Sequence, residues 1–213
     1  MSKIAVLDLG AGNLHSVGKA LEYVAPDHQV LITENPKVIL DCEHVVMPGQ
    51  GAIGSWFQSL DKLALFDVVA VVLETRPVLG ICLGLQALYG FSEEDGGVNG
   101  FGWLSGRVQR FPIAHRESKT QLKVPHIGWN NVQQLSPHPL WKDIPDNTRF
   151  YFVHSYYACS DVTSEISGRT NYGLSFVSAA TRSNVFAVQF HPEKSHVQGL
   201  NFLNNFVSWD GSL

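Results

Sequence analysis

The sequence predicts an α/β fold, an open and mostly parallel sheet with helices on both faces and an antiparallel extension. Short apolar runs alternate with helical patterns through the first half of the chain, the βαβ rhythm of a parallel sheet. After Gly96 the texture changes to short, β-rich, turn-separated segments near 127, 150, 159, 176 and 188, which predict the antiparallel part. No repeat, low-complexity tract or linker divides the 213 residues, so residues 1–213 are expected to form one domain with a substantial core.

Ile4 to Leu9 reads as the first strand and Leu14 to Val24 as the first helix, with Asn13 and Ser16 as its cap. Gln29 to Ile32 and His44 to Met47 read as strands, and Asp61 to Thr75 as a helix capped by Asp61. Pro77 to Ile81 is a buried strand that leads into a helix beginning at Leu83. The last helix, Val197 to Trp209, presents Val197, Leu200, Leu203, Phe206 and Val207 on one buried face. Gly10-Ala11-Gly12 follows a strand as a dinucleotide-binding turn does, but His15 stands where the third glycine belongs.

Composition narrows the function classes. The chain is 45% hydrophobic and 16% charged, with net charge −4, which is globular rather than disordered. It has no basic run, so neither nucleic acid nor an anionic membrane surface is an expected partner. No stretch approaches the roughly 20 apolar residues of a membrane span, and the first apolar run is broken by Asp8 with no cleavage site after it. The odd count of 3 cysteines precludes a complete internal disulfide set. Cys42 and Cys159 read as buried thiols in a reducing compartment, and a cytoplasmic location is expected. The 9 histidines are scattered, with neither an i, i+4 pair nor a Cys-x-x-Cys neighbour, so no metal and no cofactor is expected.

The chemistry concentrates in Gly80-Ile81-Cys82-Leu83-Gly84. A strand, a sharp turn carrying a nucleophile, and a helix make a nucleophile elbow, here with cysteine. Glycines two positions either side let strand and helix approach closely around a strained turn. The start of a helix also favours thiolate, the attacking form. Near the other end, Phe186-Ala187-Val188-Gln189-Phe190 reads as a buried strand followed by His191-Pro192-Glu193. A cysteine nucleophile needs a base, and the base needs a group to fix its tautomer; His191 and Glu193 have those chemistries. In an open α/β sheet, strand C-termini gather at one edge, which would bring Cys82 and His191 together. Val45-Val46-Met47-Pro48-Gly49-Gln50-Gly51 is another strand ending in a glycine turn. Its Gly51 N–H, with that of Leu83 after the nucleophile, could face a developing oxyanion.

These segments, in this order, resemble the class I, triad-type glutamine amidotransferases. The matches are Gly-x-Cys-x-Gly with Gln86 four residues after Cys82, and Gln189-Phe190-His191-Pro192-Glu193. The resemblance implies that Cys82 attacks the side-chain amide of glutamine, that His191 moves the protons, and that Glu193 orients His191. It implies that Gln86 and Glu94 hold the substrate, with Glu93 adjacent to the latter. Within the family, four segments look like the glutaminase subunits of imidazole glycerol phosphate synthases: Leu9 to Val17, Pro125 to Asn130, Tyr151 to Tyr157, and His191 to Ser195. Gln50 departs from the valine common at that position.

That resemblance implies a heterodimer with a separate (β/α)8-barrel cyclase, which receives ammonia from glutamine through a protected route. The cyclase would make imidazole glycerol phosphate and an aminoimidazole carboxamide ribotide in histidine biosynthesis. Trp129, Tyr156 and Lys194 are the candidate docking residues, as aromatic and cationic side chains suit interface anchors. The alternative is a glutaminase serving another acceptor synthase. A cysteine hydrolase of different substrate, and a scaffold without activity, accord less well with Gln86 and with the intact Cys82, His191 and Glu193.

Overall fold

The computed structural model describes residues 2–10, 12–112 and 122–212, so Ala11 of the first glycine turn lies outside the described residues. The chain opens with β1 (Lys3–Leu7), α1 (Leu14–Val24), β2 (Gln29–Thr33), α2 (Pro36–Asp41) and β3 (His44–Gly49). Next come α3 (Ile53–Lys62), α4 (Phe66–Thr75), β4 (Val78–Cys82) and α5 (Leu83–Leu88). The short strands β5 (Phe91–Ser92), β6 (Val98–Asn99) and β7 (Arg107–Arg110) lead to β8 (His126–Gln134), β9 (Thr148–His154) and β10 (Tyr156–Cys159). Then follow β11 (Ile166–Asn171), β12 (Ser175–Arg182), β13 (Val185–Val188) and α6 (His196–Ser208).

Strands β2, β1, β3, β4 and β13 lie side by side in that order, and every pair among them is parallel. Successive residues of a strand point to opposite faces, so Ile4 and Val6 pack with α1 and α6 on one side. Ala5 and Leu7 pack with α2, α3, α4 and α5 on the other. Burial on both faces accounts for the apolar runs of these strands, which do not alternate. The sheet turns antiparallel at β13–β12 and continues so through β12–β10, β10–β7, β12–β11, β11–β8 and β8–β9. The expected α/β class, parallel core and antiparallel extension are therefore all present. Among the described residues, no helix is long and apolar enough to cross a membrane.

Local expectations fail in four places. The helix expected over Asp61 to Thr75 is two helices, α3 and α4, separated at Ala64, whose φ of 52° breaks the helical path. Asp61 lies in the last turn of α3 and caps nothing; Leu65 precedes α4 without a side-chain cap. α2 was not expected, although Asn35 caps it by accepting from the Lys37 N–H at 3.0 Å and Pro36 fills its first turn. At α1 only Asn13 caps, accepting from the Ser16 N–H at 3.3 Å. In α6 the buried stripe is Gly199, Phe202, Leu203, Phe206 and Val207, a 3.6-residue period that leaves Val197 67% exposed.

Candidate active site

Three neighbouring parallel strands end at one edge of the sheet: β3 at Gly49, β4 at Cys82 and β13 just before Gln189. Cys82 closes β4 and caps α5 with φ 57° and ψ −104°, a conformation L-residues rarely adopt. The glycines around it are required by contact. A Cβ on Gly80 would lie 2.8 Å from the Gly84 carbonyl oxygen, and one on Gly84 would collide with the Met47 carbonyl oxygen. Gly49 is equally confined, since a Cβ there would sit 2.6 Å from Leu83 Cβ. The elbow is thus wedged against the turn that ends β3.

His191 follows β13 and is pinned by its backbone, whose N–H donates to the Tyr151 carbonyl at 2.9 Å. Ser195 supports the same segment. Its hydroxyl donates to the His191 carbonyl at 2.6 Å and accepts from the Tyr151 N–H at 3.0 Å. His191 Nδ1 meets Glu193 Oε1 at 2.8 Å, and both side chains are almost wholly buried. That contact leaves Nε2, which has no hydrogen-bond partner among the described residues, as the nitrogen available to Cys82. Burial opposes a charge on His191, but an ionised Cys82 and the Glu193 carboxylate outweigh it and raise the pKa to about 9.

A cavity of about 770 Å³ opens over the elbow, bordered by Gln50, Gly51, Cys82, Leu83, Gln86 and Glu94 on one side. Trp129, Tyr151, Tyr156, His191 and Lys194 border the other. Gly51 has φ 92°, so the turn carrying its N–H uses a conformation open to glycine. Gln86 Nε2 donates to the Tyr156 carbonyl at 3.1 Å and to Gln189 Oε1 at 3.0 Å, which holds the Gln86 amide beside the thiol. Glu94 borders the cavity, whereas Glu93 turns away and accepts from the Arg110 N–H at 3.1 Å. Burial raises the Glu94 pKa, partly offset by the Ile53 N–H that donates to its Oε2 at 3.0 Å. With Asp95, which accepts from the Gly54 N–H at 3.0 Å, Glu94 caps α3, whose own Ala52 cannot.

The structure therefore gathers all of the expected residues around one cavity: Cys82, His191, Gly51, Leu83, Gln86, Glu94, Trp129, Tyr156 and Lys194, with Glu193 directly behind His191. Trp129 stacks on the His196 ring, centroids 4.8 Å apart and planes at 8°. Sequence reasoning gave no role to Ser195 or to the Gln189 side chain, because Tyr151 and Cys82, which they meet, lie far from them in sequence.

A family model described as Glutamine amidotransferase class-I matches residues 5–209. The chain belongs to the class I glutamine amidotransferase family. Among its curated relatives is the imidazole glycerol phosphate synthase subunit HisH of Nitrosococcus oceani, 54% identical over 99% of both chains. The protein of that name from Pseudomonas syringae pv. syringae is 50% identical, again over 99% of each. Solved structures share the amidotransferase fold at much lower identity. A glutamine amidotransferase superposes with TM-score 0.69 at 16% identity, covering 96% of this chain and 98% of the other. Another glutamine amidotransferase, from Thermotoga maritima, gives TM-score 0.65 at 16% identity, covering 97% of this chain and 83% of the other.

Proposed function

We infer that this amidotransferase is the glutamine-hydrolysing subunit of an imidazole glycerol phosphate synthase. It would pass ammonia to a (β/α)8-barrel cyclase subunit in histidine biosynthesis. The convergence of Cys82, His191 and Glu193 at neighbouring strand ends carries the chemistry. Full-length similarity to proteins named as subunits of that synthase supports the acceptor.

Cys82 Sγ attacks the side-chain carbonyl carbon of glutamine, and the N–H groups of Leu83 and Gly51 receive the oxyanion. The tetrahedral intermediate collapses as His191 Nε2 gives its proton to the departing nitrogen, releasing ammonia and leaving a glutamyl thioester. Now neutral, His191 takes a proton from water, which attacks the thioester; the Cys82 sulfur leaves as thiolate, glutamate is released with its carboxyl proton passing to solvent, and the His191 imidazolium is restored. Glu193 keeps Nδ1 protonated, so that Nε2 is the nitrogen that exchanges protons. Gln86 and Glu94 hold the substrate from the elbow side. Trp129, Tyr156 and Lys194 form the docking rim, extended by Ile127, which shares a face of β8 with Trp129 and is 59% exposed.

The test is glutamate production by this chain alone and with a purified cyclase barrel, each with and without the cyclase's formimino nucleotide. Strong stimulation only with barrel and nucleotide together is expected, as is a loss of several orders of magnitude in Cys82→Ser. Turnover indifferent to the barrel would move the chain to another acceptor synthase. Unchanged hydrolysis in Cys82→Ser would remove the triad.

A further inference from the structure

Gln189 is wholly buried and lies one residue beyond β13. Val188 pairs with Ile81, so the next step along each strand sets Gln189 level with Cys82. Its backbone N–H is tied to the Ser178 carbonyl at 3.0 Å. Its side-chain Nε2–H is directed at Cys82 Sγ, 3.6 Å away, and its Oε1 accepts from Gln86 Nε2 at 3.0 Å.

The polarity of this arrangement is set by the Tyr156 carbonyl, which can only accept. Gln86 gives its other amide hydrogen to the Tyr156 carbonyl, which also receives His154 Nδ1–H at 2.7 Å. His154 Nε2 is therefore an acceptor, filled by His126 Nδ1–H at 2.9 Å; His126 Nε2 in turn faces the Asn130 amide at 3.3 Å. Burial pulls the pKa of His126 down to about 4 and that of His154 down to about 3, so both rings are neutral at neutral pH, as this ordering requires. With Gln86 fixed as donor, turning the Gln189 amide round would set two NH₂ groups against each other and withdraw the hydrogen from the sulfur. Every amide and ring in the run has one orientation, and the Gln189 end of the run points a donor at the nucleophile.

We propose that Gln189 is a positioning residue for the nucleophile: its side-chain N–H holds Cys82 Sγ and favours the thiolate, with its orientation dictated through Gln86 by the Tyr156 carbonyl. The proposal rests on the reading of Cys82 as nucleophile. A hydrogen bond to a charged acceptor is shorter and stronger than one to its neutral form, so the N–H stabilises thiolate over thiol. The other titratable groups at the thiol are His191, backed by Glu193, and Glu94, Lys194, His154, Tyr151 and Tyr156 around the cavity. All remain in place when Gln189 alone is changed.

The experiment is the rate of iodoacetamide alkylation of Cys82 against pH, resolved from Cys42 and Cys159 by mass spectrometry, in the full chain without glutamine. Gln189→Met keeps the volume and removes the donor; Gln189→Glu keeps the shape and puts a carboxyl against the sulfur. In Gln189→Met the midpoint is expected to rise by about one pH unit, with alkylation at pH values well below the wild-type midpoint falling about tenfold, the worth of one hydrogen bond to a charged group. Gln189→Glu is expected to shift it at least as far. Wild-type profiles in both folded variants would overturn the proposal while leaving Cys82 as nucleophile. Wild-type Cys82 reacting no faster than Cys159 would overturn that reading and the proposal with it. A test needing no variant uses wild-type chain carrying ¹⁵N-labelled glutamine side chains: a side-chain amide is expected to titrate with the midpoint of Cys82 alkylation and to stop titrating once Cys82 is alkylated. No such amide would also overturn the proposal.

Discussion

In the proposed mechanism Glu193 acts through one contact, from its Oε1 to His191 Nδ1 at 2.8 Å. Replacing it by glutamine keeps the shape and removes the charge that helps hold His191 protonated. The His191 pKa, raised to about 9 in the native protein, should then fall. The imidazolium that protonates the departing nitrogen is lost at lower pH, so the alkaline limb of kcat/KM for Glu193→Gln should move to lower pH. A loss of kcat of about 10²–10⁴ should accompany it, since an amide can also present the wrong tautomer. An unmoved alkaline limb would mean that Glu193 only packs. The triad was legible in the sequence because each member stands where an apolar run meets glycine or proline, at Gly80 to Gly84 and at Pro192. The Gln189 contact was not, because the register of β13 on β4 is a property of the folded sheet, and nothing near Gln189 announces which strand it will face.

The pairing of β8 with β9 sets His126 opposite His154, and this fixes how the element responds to acid. Both rings have native pKa values, about 4 and about 3, below the ordinary 6.5, so between these limits the unfolded chain binds more protons than the folded one. Stability is therefore full above about pH 6.5 and falls as pH drops towards 4, by at most about 1.4 kcal/mol per pH unit for each histidine. Urea midpoints measured from pH 7.5 to 4.5 should show this slope, and it should flatten in His126→Asn even if that variant is less stable overall. Most elements were readable because a buried parallel strand is a short apolar run with a turn at each end. The failures have local causes. Leu63-Ala64-Leu65 is good helix material, and only its tertiary setting places Ala64 at φ 52° between α3 and α4. The Gly54 and Ser55 near the start of α3 weaken its helical signal, and its cap arrives from Glu94 and Asp95, far along the chain.

Across the whole molecule, the cavity rim and the exposed side of β8 make one continuous face. Trp129 borders the cavity, stacks on His196 and shares its strand face with exposed Ile127, the setting of an interface anchor. Trp129→Ala should weaken association with the cyclase about 30-fold, roughly 2 kcal/mol, as read by titration calorimetry. Wild-type affinity would place the docking surface elsewhere. The change from parallel to antiparallel pairing was legible from the texture after Gly96, but the insertion of β13 beside β4 was not, because it joins segments far apart in sequence. That insertion has a consequence for synthesis. The thiol emerges from the ribosome well before its base and the strand that carries it, which lie far downstream in the sequence. Until residue 193 has been made and β13 has found its slot, a nascent chain holds a nucleophile with nothing to activate it. An interrupted translation product therefore drains no glutamine from the cell, and hydrolytic competence coincides with completion of the sheet.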